Sequence, residues 1–215
     1  MDKQNTVFVD KKEFNILNFN FLNRYLKKKK YTHLIHIAGL SRPMSIHENE
    51  IEKSINLNII GTANIVKACK RNKIKLIYFS TSYVYPGKKG NYSENDDLNP
   101  INNYAWSKLG GECAVHMYKN SLILRLTMCE RPFTHKQAFY DVNTNFIYHD
   151  EVAKIIPKIL KLTGILNVGG KTQSVFNFAK KYNKKIKKIS AKKNSRLPLN
   201  QTMNLMKLKK ILWKK

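Results

Sequence analysis

Apolar residues along this chain follow two rhythms: short unbroken runs, and longer stretches spaced three and four apart. Leu34 to Ala38, Ile74 to Phe79 and Ser121 to Leu126 are runs of the length and composition of buried parallel strands. Between them lie helical spacings. From Phe14 to Lys30, the residues Phe14, Leu17, Phe21, Leu22, Tyr25 and Leu26 fall on or near one face, and Lys27–Lys30 suits the negative pole of the helix dipole. Glu48 to Lys70 predicts a long helix with Ile51, Ile55, Ile59, Ala63 and Val66 inward, and Asn103 to Met117 predicts another. Strands alternating with helices predict an α/β protein with a parallel sheet.

After Arg131 the pattern weakens. Asp150 to Leu162 reads as a helix that Pro157 kinks or breaks, and Ser174 to Tyr182 as a short one. Lys184 to Arg196 is lysine-rich and reads as partly mobile. Thr202 to Lys215 spaces Leu205, Leu208, Ile211 and Leu212 as an amphipathic helix ringed by lysines. Such a helix can lie on an anionic membrane; docking on its own domain is the favoured reading. Pro86-Gly87 marks a turn.

Composition narrows the picture. The 215 residues fit one domain with a small C-terminal lobe, and 42% hydrophobic content is that of a globular protein. A net charge of +26 raises the question of nucleic acid. Only six of the 40 basic residues are arginines (Arg24, Arg42, Arg71, Arg125, Arg131 and Arg196), and the lysines run from end to end. Base-edge and bidentate phosphate readers favour arginine, so specific nucleic-acid binding is not expected. The positive field would still steer an anionic substrate inward. Cys69, Cys113 and Cys129 lack metal-ligand spacing and read as reduced, mostly buried thiols of a cytoplasmic protein. Met1 to Lys12 has no leader-like apolar run, and no stretch has the length of a membrane span.

The chemistry gathers around Tyr104-Ala-Trp-Ser-Lys108, which puts a phenol and an ammonium one turn apart on a helix face. The ammonium can lower the phenol's pKa and make it a proton donor or acceptor near neutral pH. Upstream, the strand Leu76-Ile77-Tyr78-Phe79 runs into Ser80-Thr81-Ser82; downstream, Ile123-Leu124-Arg125-Leu126-Thr127 follows. Together with Leu34-Ile35-His36-Ile37-Ala38-Gly39, Asn58-Ile59-Ile60-Gly61-Thr62, Asn145 to Ala153 and Gly164 to Gly170, this order resembles the extended short-chain dehydrogenase/reductase family. Within that family it is most similar to nucleotide-sugar epimerases, dehydratases and dTDP-4-dehydrorhamnose reductases.

The resemblance implies a Rossmann-like parallel sheet flanked by helices. Residues 1–130 would form the dinucleotide-binding core and 131–215 a C-terminal substrate lobe, parts of which return to the core. It implies that Thr81, Tyr104 and Lys108 are catalytic. Thr81 would hold the reacting oxygen and Tyr104 would move a proton. Lys108 would lower the phenol's pKa and bind the nicotinamide ribose. Hydride would pass between NAD or NADP and a sugar carbon, since no side chain can supply it. Asp10, Ala38 and Gly39 would line the cofactor, with Tyr104 and Lys108. Asp10 favours NAD, whereas Lys11 and Lys12 would welcome a 2′-phosphate. Arg131, His135 and Lys136 would bind the diphosphate of a nucleotide-sugar substrate. No metal is expected. His36 reads as a hydrogen-bonded core or edge histidine.

One family feature is missing. Val7-Phe8-Val9-Asp10 resembles the family's second strand, and Asn15 and Asn18 stand where acids are usual. The glycine-rich turn that binds pyrophosphate at a helix N-terminus should precede it, yet no glycine occurs before Gly39. The sequence thus reads as N-terminally truncated by about thirty residues, one strand-turn-helix segment. Either the chain is a fragment, or the fold has closed over the gap and changed cofactor binding. The expected function is an NAD(P)-dependent nucleotide-sugar oxidoreductase or epimerase of surface-polysaccharide synthesis. The alternative is a non-catalytic relative, either a partner subunit or a sugar-nucleotide binder. A homodimer is compatible with both.

Overall fold

The computed structural model describes residues 5–191 and 197–213. The far end of the lysine-rich stretch and the last two lysines of the terminal helix lie outside the described residues. In chain order the helices and strands are α1 (Phe19–Lys27), β1 (His33–His36), α2 (Ile46–Asn49), α3 (Ile51–Ser54), α4 (Gly61–Arg71), β2 (Lys75–Phe79) and α5 (Asn103–His116). There follow β3 (Ser121–Leu126), β4 (Met128–Cys129), β5 (Gln137–Phe139), β6 (Asn143–Thr144), β7 (Ile147–Tyr148) and α6 (His149–Ile159). The last are β8 (Gly164–Val168), β9 (Gln173–Ser174), α7 (Val175–Lys180), β10 (Lys187–Ile189) and α8 (Met206–Trp213).

The main sheet has four strands in the order β1-β2-β3-β8. β1 and β2 run parallel, with His33 opposite Lys75 and His36 opposite Tyr78. Leu76 N–H donates to Asn120 and Ser80 N–H to Leu124, so β2 and β3 advance together. This is the expected α/β architecture, and both faces of a parallel sheet need helices to cover them. By contacts the chain falls into two compact units. One comprises Met1–Phe79, Ser107–Ile123 and Leu160–Gly164, and the other comprises the remaining segments.

In the first unit α1 packs on α4, and α4 on β1 and β2. Leu22, Leu26, Ile65, Ala68, Cys69, Ile74, Leu76 and Ile77 fill its core. α1 starts later than its apolar pattern suggests, because Asn18 caps it by accepting the N–H of Phe21 at 2.9 Å. The expected long helix from Glu48 to Lys70 is broken. Its middle, Ile55–Ile60, is a wider π-type turn. One extra residue per turn shifts the helical phase, so Asn58 points inward while Ile55 and Ile60 are exposed. Val7-Phe8-Val9 does not form the expected strand: its side chains are 51%, 81% and 40% exposed. Among the described residues, no strand pairs with the outer edge of β1.

α5 comes close to the π turn through two glycines. A Cβ on Gly111 would lie 2.4 Å from the Asn58 carbonyl oxygen and 2.7 Å from the Tyr78 hydroxyl; on Gly110 it would meet the flexible end of Ile59 at 2.8 Å.

In the second unit β4 pairs with β7 and β5 with β10, both parallel, and β6 pairs with β9 antiparallel. An aromatic core of Phe133, Tyr148 and Phe178 packs with Cys129, Ala138, Val175 and Ile186. Ser174 caps α7 by accepting the Asn177 N–H, and α6 runs through Pro157 without ending there. A polar chain ties the strands to the Glu94 loop. Arg125 donates to the Tyr85 hydroxyl at 3.0 Å, and Tyr85 donates to Asn167 Oδ1 at 2.8 Å. Asn167 Nδ2 donates to the Tyr92 carbonyl at 2.9 Å, while its N–H reaches Glu94 Oε1 at 3.0 Å.

The glycine contacts make unequal demands. Gly111→Ala forces a methyl against backbone and should cost about 1–3 kcal/mol, the range of an overpacked core. Gly110→Ala meets a side chain that can turn away and should cost less. Urea unfolding of both variants would test the order.

Candidate functional site

Lys108 is the centre of the first unit's polar interior. It is buried in α5 with its Nζ 4.3 Å from the centroid of the Tyr78 ring. Nζ would also lie 3.9 Å from a Cβ placed on Gly39. Burial brings its pKa down from the usual lysine value to about 7, and the carboxylate of Glu112 opposes this only in part. The amine therefore changes charge near neutral pH. His36 shares the space. Its Nε2 is 3.0 Å from Thr62 Oγ1, and burial, aided by the Lys108 charge, holds its pKa down at about 3. It is a neutral core histidine, as expected.

Asn58, which sequence reasoning passed over as a site residue, organises this interior. Its Oδ1 accepts the Leu40 N–H at 2.7 Å, and its Nδ2 donates to the Leu40 carbonyl at 2.9 Å and to Ser107 Oγ at 2.8 Å. One amide thus fixes the backbone just after β1 against the helix that carries Lys108. The signal was an asparagine amid Ile55, Leu57, Ile59 and Ile60. Unless the helix changes phase, nothing in the spacing says that it points inward.

The other expected cofactor residues differ in role. Ala38 and Gly39 follow β1 with exposed backbone, and a Cβ on Gly39 would lie 2.8 Å from Asn58 Oδ1. Asp10 is occupied locally. Its Oδ1 accepts the N–H groups of Lys12 at 2.7 Å and Glu13 at 3.1 Å, and its carbonyl takes the Phe14 N–H. Asn15 closes a similar turn onto Leu17.

The second unit holds Thr81 and Tyr104. Thr81 is buried just past β2, and its Oγ1 accepts the Tyr83 N–H at 3.2 Å, capping a short turn over Ser82–Val84. Tyr83 meets the Tyr104 ring edge-on, with centroids 6.2 Å apart. Ser82 Oγ and Thr127 Oγ1 lie 2.5 Å apart. Tyr104 stands at the start of α5, four residues before Lys108.

Arg131, His135 and Lys136 each have local contacts in the second unit. The Arg131 guanidinium stacks 4.0 Å from the Tyr148 ring centroid and 4.8 Å from that of Tyr182, with Nε 3.5 Å from Asp150. His135 lies against Phe133, and the Lys136 carbonyl accepts the Lys187 N–H. Among the described residues there is no cluster fit to hold a metal. Among the described residues, no helix is long and apolar enough to cross a membrane. Cys69 and Cys129 are buried and Cys113 is exposed; burial pushes the Cys69 thiol up to about 12.

The parallel sheet with helices on it is a Rossmann-like α/β fold. The profile of the RmlD substrate binding domain family matches residues 1–131, and the chain belongs to that family. A dTDP-D-glucose 4,6-dehydratase of Dictyostelium discoideum is 31% identical over 165 residues, 69% of this chain and 34% of that protein. Methionine adenosyltransferase 2 subunit beta of Danio rerio is 40% identical over 79 residues, 37% of this chain and 24% of that one. The chain thus spans about a quarter to a third of the curated relatives it matches. In structure it is similar to dTDP-4-dehydrorhamnose reductase from Bacillus anthracis in complex with NADP. The TM-score is 0.84 at 24% identity, covering 94% of this chain and 81% of that one.

The Lys108 titration has a measurable sign. The folded pKa lies below the unfolded one, so the unfolded state binds more protons between about pH 7 and 10.5. Burying Lys108 therefore destabilises the protein most below pH 7, and the cost fades as pH rises to 10.5. Lys108→Met should exceed the wild type in stability near neutrality. Denaturant midpoints of the pair from pH 6 to pH 10 should converge.

Proposed function

We propose that the chain forms the catalytic part of an NAD(P)-dependent nucleotide-sugar oxidoreductase or epimerase, similar to dTDP-4-dehydrorhamnose reductase, serving surface-polysaccharide synthesis. The observation that carries this reading is Lys108, a buried amine titrating near pH 7, one helical turn after Tyr104 in a chain of the RmlD family. A structural lysine has no need of so costly a position.

Bound NAD(P) supplies or accepts the hydride. The residues at the reacting end suit such a group. Ala38 and Gly39 offer exposed backbone, Gly39 leaves no room for a side chain beside Asn58, and Lys108 offers an amine to a ribose hydroxyl. At the adenosine end, Asp10 spends Oδ1 on its own turn and has Oδ2 for a ribose. In the reductive direction Thr81 donates a hydrogen bond to the sugar carbonyl oxygen. Tyr104 gives that oxygen its phenolic proton as the carbon gains hydride; oxidation reverses the transfer. Lys108, when protonated, stabilises the phenolate that remains. Exposed Lys136 serves the substrate's diphosphate by charge, and exposed His135 offers it a ring N–H. Arg131 joins them only by leaving Asp150.

A second reading, a non-catalytic partner subunit, has the likeness to a protein named as a subunit in its favour. Isothermal titration of the folded chain with NADH and NADPH at moderate salt separates the two. The catalytic reading expects saturable binding that weakens in Lys108→Ala. It also expects Tyr104→Phe to retain binding while turnover of a dTDP-4-keto sugar falls about 10²–10⁴-fold. Folded protein that binds neither nucleotide would favour the subunit reading.

A further inference from the structure

Lys108 meets one aromatic side chain at both of its ends. The amine lies over the Tyr78 ring, with Nζ 4.3 Å from the centroid. The Tyr78 hydroxyl donates to the Lys108 carbonyl at 3.1 Å. That hydroxyl occupies the notch left by Gly111, where a Cβ would come within 2.7 Å of it. One side chain thus spans the lysine from backbone to tip.

The ring is firmly held. Tyr78 is fully buried in β2, an inner strand of the sheet whose five residues are all buried. Across the ladder it pairs with His36, whose ring centroid is 5.6 Å from its own. Two basic groups therefore border one aromatic ring, but burial leaves the imidazole neutral, with a pKa of about 3. The Lys108 amine is the group that can bring a cation to the ring. The electron-rich face of a phenol attracts an ammonium, and the attraction grows where water is excluded. Glu112, on the same helix, also favours the charged amine. Asn58 and Ile59 of the π turn, which pack against α5, do not titrate.

We propose that Tyr78 is the positioning residue of Lys108, its ring the seat that keeps the amine inside the first unit in the charged form. Without the ring, Glu112 alone opposes desolvation, and the amine gives up its proton at lower pH. The consequence for turnover rests on the proposed function, in which the charged amine holds the nicotinamide ribose and stabilises the Tyr104 phenolate. The pH range over which the site works is then set by a side chain of the sheet.

An NMR titration of the lysine Cε resonances in the folded chain, without nucleotide, tests this; Lys108→Met assigns the resonance. Tyr78→Phe keeps the ring and should titrate within about half a pH unit of the wild type. Replacing Tyr78 by a fluorinated phenylalanine keeps much the same shape but draws electrons from the ring face. It should lower the Lys108 midpoint by about one pH unit, and Tyr78→Leu by at least as much. A tyrosine that only filled space would lose stability in these variants without moving the midpoint. The fluorinated ring opens no cavity, so the result does not depend on Tyr78→Leu folding. At pH 7 the fluorinated variant should bind NADPH about fivefold more weakly than Tyr78→Phe, and the gap should close toward pH 5. The proposal is overturned if the fluorinated variant titrates with the wild type, or if Tyr78→Phe falls as far as the fluorinated ring does. A midpoint that shifts as expected in a chain that binds no nucleotide would count against the catalytic reading and uphold the positioning of the amine.

Discussion

The first unit depends on how closely α5 lies on the π turn. Gly111 has no side chain because the Asn58 carbonyl and the Tyr78 hydroxyl occupy the space a methyl would need. That approach brings Ser107 within a hydrogen bond of Asn58 and draws Lys108 into the interior. An ordinary α-helical turn would rotate Asn58 toward the surface, and the amide could not then clamp the backbone at Leu40. The cost of burying an amine and the cost of a distorted helix are thus incurred together. A packing constraint made of two glycines and an asparagine sets the electrostatics of the lysine.

The second unit is held by a different device. Arg125 is a buried cation in a strand of leucine and isoleucine, tolerable because it donates to Tyr85 and to the Glu94 carbonyl and lies over the Tyr85 ring. Tyr85 in turn stacks on Tyr92, with centroids 4.9 Å apart, and reaches Asn167. Residues far apart in the chain are joined by polar groups each of which has its partner, and such networks specify one arrangement more sharply than apolar contact does.

Much of the architecture was legible beforehand. Ser121 to Leu126 is a strand over its whole expected span, and Asn103 begins its helix as read. Unbroken apolar runs and three-four spacing are local signals that burial enforces. One departure has a plain cause. Val7-Phe8-Val9 has strand composition but no strand partner among the described residues, and a strand is defined by its neighbour's hydrogen bonds, not by its own residues. Other contacts were simply not legible. The local turn that uses Asp10 Oδ1 comes from a short carboxylate bonding N–H groups two and three residues on, and Tyr148 and Tyr182 approach Arg131 only after folding.

By itself the sequence determined the alternation of strands and helices and the family. It also placed Tyr104 and Lys108 one turn apart, since each of these is written in residue type and spacing. Only the tertiary structure decided that Lys108 is buried deeply enough to titrate near pH 7 and that Asn58 turns inward. Those outcomes depend on desolvation and helix phase. Both are set by residues tens of positions away that meet only when the chain has folded.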